Sequence, residues 1–371
     1  MRKFLHKARE YVPIGAMIMI VFTVITLVLH ILIVNIQEFA DFFNYYLGSP
    51  ARAFMAYLTG WIPFSLAEAL ILSIPIWFTV LILLGVRSAK RGKKKMCAYL
   101  SFVLCVLLFV LNSFVWTFGS GFHMTPVEEK LGLDREKISA QELYDTAIWI
   151  IDNINESSED VVYDVNGSSV LTDSYDELSD KLYDAYDTVI DKYENLKMNN
   201  FRSKLKPIIL SEPFTYTHIS GVYSFMTGES NINVNYPDYI IASTSAHEFA
   251  HQRGIAKEDE ASFIAFLVCI NSDDSFIRYS GYLDVYQSVM KALKSADKDL
   301  YKEAHSRLCS SAKKDLSNYS KMFDKYRYST ASEVSGSIND SYLQANGQKE
   351  GTKAYDMVTD LTVAYYKTLN K

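Results

Sequence analysis

The stretch that decides the fold reads HEFAHQRGIAKEDEAS and covers residues 247–262. Its two histidines, His247 and His251, are four residues apart, so in a helix they project from one face about one turn apart. That spacing lets two neutral imidazoles bind one metal ion. Glu248 lies one step round the helix, too displaced to be a convenient ligand but close enough to act as general base towards a water. The pattern predicts a zinc site.

The residues around the two histidines predict two consecutive helices. Pro237 and Asp238 form a plausible helix start, and Gly254 can adopt the positive φ that ends a helix and turns the chain back. A catalytic zinc usually takes three protein ligands and keeps its fourth position for water. Glu258 and Glu260, in the first turn of the second helix, are both candidates for the third ligand.

The same stretch resembles the glutamate-zincin metallopeptidases, whose third ligand is a Glu three residues before a small residue that is followed by Asp or Asn. The resemblance implies that Glu258 is the third ligand and Ala261 the small residue, with Glu260 as the alternative. Two features depart from the pattern. Glu258 follows His251 after only seven residues, which is closer to the glycine turn of the metzincins. Ser262 stands where Asp or Asn usually orients a ligand histidine, so we expect that contact to be weaker or to come from another residue, such as Asp259.

Most charge-free stretches lie before residue 125, so the chain divides into a membrane part and a water-soluble part. Apolar runs at about 13–36, 61–86 and 96–118 are each long enough to cross a bilayer as a helix. Basic residues precede the first run and fill the loop 87–95, so the positive-inside rule places both on the cytoplasmic side. We therefore expect a three-helix membrane anchor over residues 1–119 and an extracytoplasmic domain over residues 120–371.

The water-soluble part predicts helices, a small sheet and then more helices. Residues 175–196 carry an apolar stripe at helical spacing, and residues 231–236 alternate strictly between polar and apolar, which is typical of a half-buried strand. The predicted fold class is therefore N-terminal transmembrane helices followed by a mainly α, α+β zincin-like domain. An extended peptide substrate would pair with the strand edge, a role for which we name four residues: Ile232, Asn233, Val234 and Asn235.

The whole chain also resembles an uncharacterised bacterial family that joins about three membrane spans to an extracytoplasmic zincin domain. The features that carry this resemblance are Thr227–Asn231, His247–Ala261 and Tyr342–Gly347. The resemblance implies a multi-pass protein of the bacterial cytoplasmic membrane, with its N-terminus inside and the zinc site outside. The family has no firmly assigned substrate.

These features favour a zinc-dependent metallopeptidase that is anchored in the lipid bilayer and acts on peptides or proteins. Tyr342 and Tyr355 are candidate donors for the oxyanion of the transition state.

The alternative to a metallopeptidase is a non-catalytic zinc-binding sensor or assembly protein, which the presence of Glu248 disfavours because a structural zinc needs no base. A transporter or channel has little support from three spans and one marginal carboxylate, Glu68. The net charge of −6 and the lack of a long basic stripe argue against nucleic acid as partner. The sequence identifies no membrane protein partner.

Overall fold

The computed structural model describes residues 11–135, 137–351 and 357–369, and these residues are mostly helical. In chain order the α-helices are α1 (Ile14–Asn35), α2 (Gln37–Phe43), α3 (Ser49–Gly60), α4 (Leu66–Lys90), α5 (Lys93–Thr117), α6 (Val127–Leu131), α7 (Ala140–Ser157), α8 (Tyr175–Lys192), α9 (Ser211–Thr215), α10 (Asp238–Gln252), α11 (Glu258–Ile270), α12 (Ser275–Ala296), α13 (Lys298–Arg307), α14 (Ser310–Phe323), α15 (Thr330–Ala345) and α16 (Val358–Leu369). The strands are β1 (Leu205–Pro207), β2 (Gly221–Ser224) and β3 (Glu229–Ile232).

Three of these helices, α1, α4 and α5, are long and apolar enough to cross a membrane, which confirms the three apolar runs as helices. Helix α4 starts at Leu66, later than the predicted apolar run of about 61–86, because Ser65 caps the helix by accepting a hydrogen bond from the backbone N–H of Glu68. The end of α5 and the start of α4 both contact the second half of the chain: the Thr117 hydroxyl donates to the Phe225 carbonyl oxygen, and the Leu66 backbone N–H donates to Glu229. The basic loop between α4 and α5 lies at their opposite ends, about 37 Å away along the 25-residue helix α4.

The segment between α1 and α4 folds against the second half of the chain through a buried arginine. Arg52, on α3, is fully buried. Its guanidinium donates to the carbonyl oxygens of Gln252 at 2.9 Å, Arg253 at 3.1 Å and Thr117 at 2.9 Å. These carbonyls lie at the C-terminal ends of α10 and α5, where the helix itself leaves them without partners. One side chain therefore joins the histidine-bearing helix to a helix that is apolar enough to span a membrane.

Gly254 makes this junction possible. It has a φ of 103°, as its predicted role in ending α10 requires, and a Cβ at this position would lie 2.3 Å from Nη2 of Arg52. The side chain of Asn44 donates to the Gly254 carbonyl at 3.1 Å. A larger residue at position 254 would have to adopt a strained backbone and would also displace the arginine.

The sheet has the order β1-β3-β2, with β1 parallel and β2 antiparallel to the central strand β3. The prediction of a half-buried strand over residues 231–236, made from the alternation of polar and apolar residues, is wrong in extent and in burial. The strand ends at Ile232, and all four of its residues are buried. Its polar side chains are buried because they hold the start of α4: the Glu229 carboxylate accepts the backbone N–H groups of Leu66 at 3.1 Å and Ala67 at 2.8 Å, and Asn231 accepts the Ser65 hydroxyl at 2.6 Å.

Helix α10 lies between the sheet and the helices α11 and α12, and nearly all of its residues are buried. Helix α8 packs on α11 through the predicted apolar stripe, of which Leu178, Leu182 and Val189 are fully buried. The opposite face of α8 is acidic and exposed, and Asp180 and Asp176 form ion pairs there with Arg202 and Lys204. The packing on every side fixes α10 and hence the direction of its two histidines.

Candidate metal centre

The structure brings His247, His251 and Glu258 together. The two histidines lie on α10, and Glu258 is the first residue of α11, directly after the turn at Gly254. Oε2 of Glu258 lies 3.2 Å from Nε2 of His247 and 3.3 Å from Nε2 of His251. Within the described residues, these three form the one group whose ligand atoms all lie within 4.8 Å of one another. The sequence predicted all three members.

These separations fit a tetrahedral zinc ion. Zinc binds nitrogen and oxygen at about 2.0–2.1 Å, and tetrahedral geometry then separates two ligand atoms by about 3.3–3.4 Å. The two distances from Glu258, 3.2 and 3.3 Å, are close to this value. Two imidazoles and one carboxylate also make up a donor set of catalytic zinc sites that leave a fourth position open.

The second ring nitrogen of each histidine is held by a neighbour. Nδ1 of His251 lies 2.7 Å from the Ile255 carbonyl oxygen, which can only accept, so Nδ1 carries a proton and Nε2, which faces Glu258, is the nitrogen available to a metal ion. Nδ1 of His247 lies 3.2 Å from the Ser262 hydroxyl. Ser262 therefore makes this contact itself, which is one of the two possibilities that the sequence left open. Asp259 instead pairs with Arg135 at 2.9 Å.

Glu260, the alternative ligand, lies outside the cluster. It is buried and forms an ion pair with Lys257 at 3.0 Å. Both residues occupy the same first turn of α11, but a helix turns by about 100° per residue, so two positions along the chain point to different sides. The geometry therefore favours Glu258.

The electrostatics of the cluster favour a cation between the three groups. Burial alone raises the pKa of Glu258, but the neighbouring imidazoles outweigh it and hold this pKa well below its usual range. Burial likewise lowers the pKa of His251, but Glu258 outweighs it and raises the pKa to about 9. A carboxylate held ionised among nitrogen ligands attracts either protons or a metal ion.

Glu248 lies beside the cluster with an unsatisfied oxygen. Its Oε2 atom is buried and has no hydrogen-bond partner among the described residues. Burial raises the pKa of this carboxyl, against the opposing effect of the two histidines. A buried carboxylate oxygen without a partner is costly unless a ligand or water completes it.

Gly221, at the start of β2, sets the space for Glu248. A Cβ at this position would lie 2.7 Å from Oε1 of Glu248 and 2.5 Å from Cγ2 of Thr244. Both distances are well inside van der Waals contact. The first residue of β2 must therefore be glycine for the carboxylate to keep its place.

Two clefts meet at the cluster. The apolar cleft has a volume of about 750 Å³, and its walls include Phe118, Val222, Val334, Ile338 and Tyr342. The polar cleft has a volume of about 490 Å³, and its walls include Ser243, Thr244, Ser262, Asp284, Ser332 and Ser335. His247 and Glu248 line both. A molecule lying across the cluster therefore meets apolar walls on one side and hydroxyl groups on the other.

The structure describes only one of the two predicted oxyanion donors. Tyr342, on α15, lines the apolar cleft, and its ring packs edge-on against Phe114 and Phe122. Burial, followed by the charge of Glu258, raises the pKa of Tyr342 above its usual range, so the phenol stays protonated and able to donate. Tyr355 lies outside the described residues.

The predicted peptide-binding edge is not available where the sequence placed it. Ile232 belongs to the central strand, and Asn233 is buried beyond its end, donating its backbone N–H to Ser220. Val234 and Asn235 lie in the turn that leads into α10. Strand β2 is one of the two edge strands of the sheet, and it lines the apolar cleft through Gly221, Val222 and Tyr223. The alternation in the sequence could not distinguish a central strand from an edge.

The class of molecule defined by these observations is a helical protein with three potential membrane spans and a His-His-Glu cluster at a cleft. A family model described as "Protein of unknown function (DUF3810)" matches residues 43–363, and the chain belongs to this family. No curated protein and no solved structure matches the chain. The matched region includes α4, α5 and the whole cluster.

Proposed function

We propose that this chain is a membrane-anchored zinc-dependent metallopeptidase that hydrolyses peptide bonds outside the cytoplasmic membrane. One observation carries the proposal: His247, His251 and Glu258 are spaced as three corners of a zinc tetrahedron, and the partnerless carboxylate oxygen of Glu248 lies beside them. A purely structural zinc site would be closed by four protein ligands and would not need such a base.

The chemistry follows from the roles of these side chains. When bound, the zinc ion supplies Lewis-acid polarisation of the substrate carbonyl and lowers the pKa of a water towards 7. Glu248 takes the proton of the attacking water on Oε2 and later delivers it to the leaving amine. The Tyr342 phenol is the candidate donor to the oxyanion. The Ile255 carbonyl keeps Nδ1 of His251 protonated, and the Ser262 hydroxyl can accept a hydrogen bond from Nδ1 of His247.

Strand β2 is the candidate platform for an extended peptide. It pairs with β3 along one edge only, and its residues form part of the wall of the apolar cleft beside Glu248. A peptide added along the free edge would place its backbone within reach of the cluster. This role replaces the one that the sequence gave to residues 232–235.

In this proposal the active site lies at the surface of the bilayer, next to the end of a membrane helix. Phe118 follows the last residue of α5 and lies against the His251 ring, with a centroid separation of 5.8 Å. Phe114, within the last turn of the same helix, packs on Tyr342. The apolar cleft thus begins where a membrane-spanning helix ends, so substrates held at or in the outer surface of the membrane reach it most easily.

A non-catalytic zinc-binding sensor or assembly protein is the second candidate. Zinc binding and the membrane helices are compatible with it, but the open fourth position and the partnerless Oε2 of Glu248 have no role in it. The two candidates differ in one outcome: a sensor keeps its zinc and cleaves no peptide.

The test compares the full chain in detergent with Glu248→Gln, using a diverse peptide mixture and mass spectrometry of the products. We expect Glu248→Gln to retain zinc and to lose cleavage by about 10²- to 10⁴-fold, because the amide cannot take the proton. Glu303→Gln, which changes an exposed carboxylate far from the cluster, is the matched control and should behave as wild type. Equal cleavage by Glu248→Gln and wild type would refute the mechanism, and zinc without cleavage in the wild type would favour the sensor.

A further inference from the structure

The polar cleft contains a carboxylate that the proposed mechanism does not use. Asp284 lies in the middle of α12, and its side chain is exposed to the cleft. It has no hydrogen bond or ion pair with any described residue, and His247 is the charged group that influences it most. The surrounding protein raises the pKa of Asp284 to about 6, so the carboxylate is still ionised at neutral pH.

The walls of the polar cleft are suited to a cation. None of the described residues that line it is a lysine or an arginine. The hydroxyl groups of Ser243, Ser262 and Ser332 border the same space and can accept hydrogen bonds from N–H groups. A bound ammonium or guanidinium group would form a charge-assisted hydrogen bond with the Asp284 carboxylate, which has no cationic partner among the described residues.

A role in orienting the metal ligands does not account for Asp284. Nδ1 of His247 already faces Ser262 at 3.2 Å, and Nδ1 of His251 faces Ile255. Asp284 also lies outside the group whose ligand atoms converge on one point. Its charge is therefore free to act on a substrate.

We propose that Asp284 makes the polar cleft a subsite for a positively charged group of the substrate, next to the bond that is cleaved. This inference rests on the proposed peptidase function. The size of the cleft, about 490 Å³, accommodates a lysine or arginine side chain, and also a free peptide amino terminus. In each case a positively charged ammonium or guanidinium group of the substrate binds the Asp284 carboxylate, which is surrounded by hydroxyl groups.

The test uses pairs of peptides that the full chain cleaves and that differ only by lysine or norleucine at the position next to the scissile bond. Each pair is made with a free and with an acetylated amino terminus. We expect wild type to prefer the lysine peptide, and Asp284→Asn to reduce this preference by about 10- to 100-fold in kcat/KM, which is typical of a lost charge-assisted hydrogen bond. A preference that depends on the free terminus instead would assign the subsite to the terminal amine.

A binding measurement separates this inference from the peptidase function. The zinc-loaded Glu248→Gln variant should bind the cationic peptide more tightly than its neutral partner by calorimetry, and addition of Asp284→Asn should equalise the two affinities. Asp273→Asn, which changes an exposed acid just before the same helix, is the matched control.

If Asp284→Asn cleaves peptides and keeps the wild-type preference for the cationic peptide, the proposed cation subsite is refuted while the peptidase function stands. A loss of zinc in Asp284→Asn also overturns the subsite, because the residue then acts on the metal. Absence of cleavage in wild type refutes the peptidase and leaves the binding result as the test of the subsite.

Discussion

Replacement of Arg52 by methionine should destabilise the protein by about 3 kcal/mol. The change removes the donor from three buried carbonyl groups, at 2.9, 2.9 and 3.1 Å, and each unsatisfied carbonyl costs about 2 kcal/mol. The same change removes a charge that is costly to bury. Burial lowers the pKa of Arg52 from 12.5 to about 10, a penalty of about 3 kcal/mol that offsets half of the loss.

The assay is thermal unfolding of the full chain in detergent, followed by tryptophan fluorescence. A loss of about 3 kcal/mol corresponds to a fall in Tm of about 6–12 °C for a domain of this size. Arg52→Lys should also lower Tm, because one ammonium group cannot replace a planar fork that reaches three carbonyls. Zinc affinity should fall in both variants, since two of the three carbonyls directly follow His251.

The matched control is Arg327→Met, which removes an exposed ion pair with Asp324 and should change Tm little. If Arg52→Met unfolded at the same temperature as wild type and kept its zinc affinity, the junction between α3 and α10 would not hold the metal helix, and the reasoning would be wrong.

Three further substitutions test individual contacts of the site. Gly221→Ala should reduce cleavage about 100-fold and keep zinc, because the added Cβ displaces Glu248 by up to about 1 Å. The control is Gly60→Ala, which has open space around it and should cleave like wild type. Wild-type cleavage by Gly221→Ala would contradict the close approach of Gly221 to Glu248. Ser262→Ala should weaken zinc binding about 10-fold, measured by competition with a chelator, because the His247 ring loses its hydrogen-bond partner; an unchanged affinity would remove Ser262 from the site. Tyr342→Phe should lower kcat about 10²-fold with little change in KM, if the phenol binds the oxyanion; a rise in KM alone would assign Tyr342 to substrate binding.

Local patterns in the sequence were sufficient for the long helices and for the metal cluster. The apolar runs predict α1, α4 and α5 because length and composition alone decide whether a helix can span a bilayer. His247 and His251 converge because helical periodicity places them together, and Gly254 ends α10 where a positive φ was expected. The step to Glu258 needed a family resemblance, since two carboxylates of the same turn were available.

Contacts between distant parts of the chain could not be predicted from local patterns in the sequence. Arg52 and Gln252 are separated by 200 positions, and nothing near Arg52 indicates that it caps another helix. The polar residues of β3 suggested an exposed face, but they are buried against the start of α4. Nothing in the sequence around Asp284 distinguishes it from the other polar residues of α12, and its place in a cleft follows only from the packing of that helix.

The central claim is that Glu258 completes a zinc site with the two histidines. It is tested most directly by the zinc content of the purified full chain and of two isosteric variants, Glu258→Gln and Glu260→Gln, measured by mass spectrometry of the metal. The account predicts one zinc ion per chain in wild type and in Glu260→Gln, and a loss of most of the zinc in Glu258→Gln. Undiminished zinc in Glu258→Gln, or a wild-type chain that binds no zinc, would contradict it.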